Sequence, residues 1–427
     1  MRARGAVVVL LLVGLAPGGA RAEVESRGYL LSRFQLFPVA SEAVLYPMLQ
    51  VEEFQGFLEG NLDLTWKTDR LTLRSDTSAL YRVSPSRCRA GSDLPGCLVI
   101  NELYLTVDVI PVRLILIAGR HRPSWGTALS YHPAEPTNPQ PDPTDPGFQR
   151  LGAWTAMAEL SGEHHVATAG WFPTVSHSAA GTPEELTAGR LGGRAAWRPV
   201  GFDVSAIFFY DVDRRLPEVG AAASAVLGES AFEVHGEGLV HQRREIESGD
   251  LREDTCPIRS LGIPHRQVWD YSAIAGARWD RDDGALVNLE YLHNGDGMVG
   301  DDFDAVVNTA ELLGAMCPEA RLEVPDSSEE GRPQQLSSTL LRRSYAILSA
   351  VQPTLGDDGP LSDLGATATV LVGLDDLAGV VSGRLVYTLQ QSTVVRIGGL
   401  VTLGRDRTQY GILPFHGQVL VDVQSLF

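Results

Sequence analysis

Leu71-Thr-Leu-Arg-Ser-Asp-Thr-Ser-Ala-Leu-Tyr-Arg-Val83 places Leu71, Leu73, Ala79, Tyr81 and Val83 on one face and Thr72, Arg74, Asp76, Ser78 and Arg82 on the other. A period of two marks a β-strand with one apolar face. A tight polar turn, Lys67-Thr-Asp-Arg70, precedes it, and a long polar segment around residues 84–97 follows. The same order recurs along the chain. Tight turns are read at Ile110-Pro-Val-Arg113, Ser161-Gly-Glu-His164, Pro199-Val-Gly201, Asp280-Arg-Asp-Asp-Gly284 and Gln390-Gln-Ser-Thr393. Longer polar stretches lie around 123–150, 173–188, 243–267, 294–335 and 404–414. An apolar strand face fits the core of a soluble sandwich as well as lipid. The alternation of short and long connections separates the two, because a membrane barrel has short turns at one end and long loops at the other. We therefore expect an all-β, antiparallel, up-and-down transmembrane barrel of about eighteen strands, with sixteen as the nearest even alternative. The pieces near Arg33, Ala221–Leu227 and Leu364–Val372 carry the weakest pattern.

Composition narrows the class without deciding it. The 427 residues are 44% hydrophobic and 21% charged, with a net charge of -18. Beyond the N-terminal run no stretch approaches the roughly 20 apolar residues of a spanning helix, and spanning without helices requires a closed barrel. The acidic balance excludes nucleic acid as a partner, since that affinity comes chiefly from Lys and Arg on phosphates. Lysine occurs once, at Lys67. Aromatic residues such as Trp66, Tyr81, Trp154, Trp171, Trp197, Tyr271 and Trp279 fall at strand ends, where a barrel carries its interfacial girdles.

The two ends of the chain agree with export. Met1, Arg2 and Arg4, the apolar run Ala6–Leu15 and the small-residue stretch Ala20-Arg21-Ala22 have the layout of a secretory signal. Residues 1–22 are read as that signal and 23–427 as a single barrel domain. Gly417-Gln-Val-Leu-Val-Asp-Val-Gln-Ser-Leu-Phe427 alternates Val419, Val421 and Val423 with Leu420, Asp422 and Gln424. A terminal aromatic on such a strand resembles the signal by which the barrel-assembly machinery recognises outer-membrane proteins, so Phe427 is expected to close the sheet near Tyr29. Ser425 departs from the larger residue common there.

Four cysteines in an exported chain suggest disulfides. Cys88 and Cys97 flank Arg-Ala-Gly-Ser-Asp-Leu-Pro-Gly, Cys256 and Cys317 remain to pair with each other, and all four are expected in long loops. No Cys/His set has metal-ligand spacing, and Asn294-Gly-Asp-Gly297 with Asp301, Asp302 and Asp304 lacks the spacing of a calcium loop. No metal and no cofactor are expected. Asp302–Cys317 has helical spacing, with Phe303, Val306, Val307, Ala310 and Leu313 along one side.

A barrel this wide leaves an aqueous passage unless something plugs it. Parity places Arg74, Asp76, Arg82, Arg194, Glu233, His235, Glu237, Asn288, Glu290 and Arg384 inward. The most distinctive segment is Ala118-Gly-Arg-His-Arg-Pro-Ser-Trp-Gly126, continuing through a Pro-rich loop to Asn138-Pro139. It resembles the Gly-Arg-x-Arg-x-x-Trp-Gly stretch of porin-like outer-membrane families, including relatives of the alginate-export porin. Arg342-Arg-Ser-Tyr345 and Asp375-Asp376 with Ser382-Gly-Arg384 resemble their closing strands. The resemblance covers about a third of the chain. Arg120 and Arg122 at a strand end, with Trp125 in the turn, are read as a constriction favouring anionic or sugar-like solutes. The expected role is passive diffusion of small polar or anionic solutes across outer-membrane lipid. A surface adhesin or structural barrel with disulfide-held loops is the alternative. An outer-membrane hydrolase is the third reading, although neither Gly-x-Ser-x-Gly nor His-Glu-x-x-His occurs.

Overall fold

A computed structural model describes residues 22–39, 41–43, 53–82, 96–135, 137, 152–176, 185–228, 231–242, 269–298, 300–316, 340–356, 359–389, 392–413 and 415–427. Nine strands precede residue 212: β1 (Glu23–Leu36), β2 (Phe54–Lys67), β3 (Leu71–Arg82), β4 (Gly96–Ile110), β5 (Leu114–His121), β6 (Ala153–Ser161), β7 (His165–Ser176), β8 (Glu185–Trp197) and β9 (Phe202–Asp211). Nine follow: β10 (Leu216–Val226), β11 (Phe232–Gln242), β12 (Trp269–Asp280), β13 (Leu286–His293), β14 (Ser344–Gln352), β15 (Leu364–Gly373), β16 (Gly379–Leu389), β17 (Thr393–Leu403) and β18 (Gly417–Leu426). Each pairs antiparallel with its neighbours in chain order, and β18 pairs with β1, so the sheet closes on itself. Among the described residues no helix is long and apolar enough to cross a membrane.

The seam falls where the terminal aromatic implied. Its register runs from Tyr29 opposite Leu426 to Leu36 opposite Val419. Beyond Tyr29, Gly28 and Phe427 exchange two backbone hydrogen bonds of 3.0 Å each. Glycine is required at position 28, since a Cβ there would lie 2.6 Å from the Phe427 ring. Closure pairs β1 from Gly28 to Leu36 with β18, and an open edge there could not be satisfied in lipid.

The connections divide by end. At the end carrying both termini they span 68–70, 111–113, 162–164, 198–201, 227–231, 281–285, 353–363 and 390–392. At the other end they span 37–53, 83–95, 122–152, 177–184, 212–215, 243–268, 294–343, 374–378 and 404–416. The expected alternation therefore holds with three corrections, as 212–215 and 374–378 are turns at the loop end and 353–363 is a longer connection at the turn end. The turn at 227–231 escaped the sequence because the alanine run of β10 has little alternation to lose. Cys97, expected in a loop, is the second residue of β4. Its side chain, the positions of Cys88, Cys256 and Cys317, and the signal segment 1–21 lie outside the described residues.

Alternate positions face lipid and lumen. Leu30, Phe34, Leu58, Leu62, Leu289, Leu385, Ile397 and Val401 are exposed on the outer surface, as a lipid-facing belt requires. Outward aromatics gather at both strand ends: Trp197, Phe202, Phe232 and Trp279 near the turns, and Tyr81, Trp154, Trp171, Trp269, Tyr271 and Tyr291 near the loops. The inner positions hold buried polar side chains, among them Asn61, Asp76, Ser78, Asn101, Arg194, Asn288 and Asp422. The expected loop helix is present as α1 (Gly300–Met316), and Phe303, Val307 and Ala310 are its buried side. Phe303 lies under the Arg342 guanidinium at 3.9 Å, and Arg407 reaches Glu311 at 2.7 Å, which fastens α1 to the loop end.

Candidate functional site

The chain leaving β5 turns into the barrel. Arg120, the last but one residue of β5, donates from Nε to the Gly152 carbonyl at 2.8 Å, tying the start of the connection to its return. Arg122 pairs with Glu102 of β4 at 3.3 Å. Trp125 then docks on inward aromatics, stacked on Phe209 of β9 at 5.1 Å and edge-on to Phe172 of β7 at 5.6 Å. Ala134 of the same loop and Ile207, Ala222 and Leu239 of the wall complete this cluster. From Trp125 onward the loop backbone runs past three carboxylates, Glu135 in the loop, Glu237 on β11 and Glu290 on β13. His235 of β11 meets Glu290 Oε1 at 2.8 Å.

A second apolar cluster fills the loop end over β12–β17. Ile274, Leu292, Ile347, Leu371, Val380 and Leu400 point inward there, and Tyr410, Leu413 and Phe415 of the connection before β18 cover them. Ala128 joins this cluster from the inward loop, with Tyr131 packed against it. Arg342, Tyr345, Asp375 and Asp376 meet as a clasp: Arg342 Nε donates to Asp376 at 3.1 Å, and Asp375 accepts the Arg343 and Ser344 N–H groups. Two segments that resembled closing strands thus brace the loop end.

The remaining arc, from the turn-end half of β16 and β17 through β18 and β1 to β5, carries charged and polar side chains beside one small apolar cluster of Leu80 and Val99 with Phe57. Arg33 of β1 grips Asp422 of β18 with two hydrogen bonds of 2.7 and 3.0 Å. Arg396 of β17, opposite Asp422 in register, donates to Gln424 at 2.6 Å. Arg74 of β3 pairs with Asp63 of β2 at 3.0 Å and lies 3.9 Å from Glu102. Asp76 accepts from Asn61 and Asn101 at 2.7 and 2.8 Å, and Ser78 and Tyr29 donate to Glu59.

The residues singled out from the sequence therefore separate. Arg74, Arg122 and Arg384 stand on the polar arc with partly exposed side chains, and Glu233 lies inward at the turn end of β11. Asp76, Arg120, Arg194, His235 and Glu290 are on the inner face but covered. Arg194 is held between Asp203 at 3.7 Å and the Ser124 carbonyl at 3.4 Å. Trp125 needs correction: only 4% exposed, it gives its ring to Phe172 and Phe209, so it anchors the loop and offers no stacking face. Arg82 belongs to β3, but its side chain lies outside the described residues. Sequence reasoning gave Glu135 no role, as no local signal distinguishes a loop glutamate that turns back on its own backbone.

The chain is a closed antiparallel barrel of eighteen strands, apolar outside, part polar and part apolar within, and entered by one of its own loops. The fold is that of an outer-membrane porin. Solved structures agree. The chain is similar to OccK2 (OpdF) of Pseudomonas aeruginosa, solved in complex with glucuronate, at a TM-score of 0.55 and 10% identity over 95% of this chain and 98% of that one. It is similar to OccAB1 of Acinetobacter baumannii at 0.54 and 11% identity over 96% and 99%. It is also similar to OpdQ of Pseudomonas aeruginosa at 0.54 and 7% identity over 95% and 97%. No protein-family profile and no curated protein sequence matches the chain. The porin fold places the protein in the outer membrane of a Gram-negative cell, with the apolar belt in lipid.

Proposed function

We propose that the barrel is a passive channel for small polar solutes, with anions preferred, and that solutes pass along the arc from β16 through β18 and β1 to β5. The turn end faces the periplasm and the loop end the exterior. The observation that carries this reading is the division of the lumen. One side is filled by the inward loop and two apolar clusters, while the other keeps charged side chains. On that side the guanidinium groups are more accessible than their carboxylate partners. Arg74 is 36% exposed against 27% for Asp63, Arg122 29% against 6% for Glu102, and Arg33 14% against 0% for Asp422. A solute there meets planar donors suited to carboxylates and phosphates, in a mixed field that favours polar species. The glucuronate bound by OccK2, itself a small anion, is consistent with this class.

Replacing Arg74 and Arg122 together by Ala tests the reading. Reversal potentials under a salt gradient are expected to shift toward cations in the double variant. An unchanged reversal potential in folded protein removes these arginines from selectivity.

A further inference from the structure

The backbone N–H groups of six consecutive residues, Trp125 to Ser130, all donate to carboxylates. Glu135 takes those of Trp125 and Gly126 at 2.7 and 2.8 Å. Glu237 takes those of Thr127 and Ala128 at 2.5 and 3.1 Å, and Glu290 those of Leu129 and Ser130 at 2.8 and 3.1 Å. In a helix or sheet ladder backbone carbonyls would be the acceptors. Here two of the three carboxylates belong to the barrel wall, so four of the six N–H groups are joined to β11 and β13 side chains.

We infer that Glu237 and Glu290 are positioning residues that hold the inward loop in the lumen. This deepens the channel reading and rests on it for its functional meaning. Three observations support the assignment. Glu237 takes a further loop N–H, that of Ala134, at 3.3 Å. Glu290 is itself oriented by His235 at 2.8 Å from the neighbouring wall. A Cβ at position 126 would lie 2.2 Å from Glu237 Oε2, so any larger residue there has to push this carboxylate away from the loop N–H groups. Carboxylate chemistry explains why the wall uses Glu here. A carboxylate only accepts, whereas the amide of Gln has one accepting oxygen and an NH2 that would face backbone N–H groups. Charge-assisted bonds are also about twice as strong as neutral ones.

Amide hydrogen exchange on the whole folded barrel in detergent tests the assignment, with folding verified by heat-modifiable migration. In E237Q and E290Q, peptides covering 123–135 are expected to exchange about tenfold faster or more, while peptides from β1 and β18 keep their protection. Gly126→Ala alters the loop rather than the wall and is expected to give the same acceleration, which guards against a wall variant that fails to fold. Unchanged protection of 123–135 in the Gln variants and in Gly126→Ala overturns the assignment. Single-channel recording of the same proteins separates the two levels. Faster exchange with unchanged conductance leaves Glu237 and Glu290 as the loop's fasteners and removes the loop as the constriction of a channel.

Discussion

Replacing Trp125 with Ala removes the apolar anchor of the inward loop while leaving its carboxylate contacts in place. Burying a Trp side chain takes about 150–250 Å² from water, worth about 4–6 kcal/mol at roughly 25 cal/mol per Å². Large-to-small changes at buried aromatics cost about 3–5 kcal/mol. The stacked contact with Phe209 at 5.1 Å and the edge contact with Phe172 at 5.6 Å are lost together. This cost falls on the docking of one loop and not on the barrel, because the strand ladders on either side do not use Trp125. At about 1.4 kcal/mol per factor of ten, a loss of about 3 kcal/mol raises the undocked population roughly a hundredfold. The assay is single-channel recording in a planar bilayer beside thermal unfolding of the same sample. We expect a noisier open level of higher conductance and an unfolding midpoint close to that of the parent. Phe209→Ala, which removes the partner face, is expected to do the same. A folded Trp125→Ala barrel with parent conductance and parent noise would refute the claim that this anchor holds the loop.

Other outcomes follow from the seam and its charges. Removing Phe427 deletes two backbone hydrogen bonds to Gly28 and the ring lying over it, so assembled, heat-modifiable barrel is expected to fall more than secreted protein does; equal yields would count against the seam. Arg33→Ala leaves Asp422, fully buried, without its bidentate partner, a change that costs about 3–5 kcal/mol in buried pairs. The unfolding midpoint is expected to drop, and Asp422→Asn added to it is expected to recover part of the loss; strictly additive losses would show that the pair does not interact.

Much of the architecture is written in local pattern. The strand at Leu71 and the terminal strand with Val419, Val421 and Val423 outward show a period of two because their charged residues, Arg74, Asp76 and Asp422, all fall on the inner face. The α1 face was equally visible, since Phe303, Val306, Val307 and Ala310 repeat at helical spacing. The inward loop was legible as a segment but not as a set of contacts. Thr127 meets Glu237 across 110 residues, and Leu129 meets Glu290 across 161. Parity placed these glutamates inward without indicating what they would hold. Ile207, Phe208 and Phe209 did carry a usable signal. Three apolar residues in succession near the loop end of β9 leave an apolar group inside a lumen that should be wet, and a docking loop is what such a group needs. Inward Ile347, Leu371, Val380 and Leu400 broke alternation for the same reason, which is why part of that region had a weak pattern.

Stepwise conductance of purified, folded protein in a planar bilayer tests the central claim most directly. Discrete, salt-dependent steps are expected, with a reversal potential on the anion side that shifts toward cations on replacement of Arg74 and Arg122. Folded protein that inserts and yields no steps would contradict that claim.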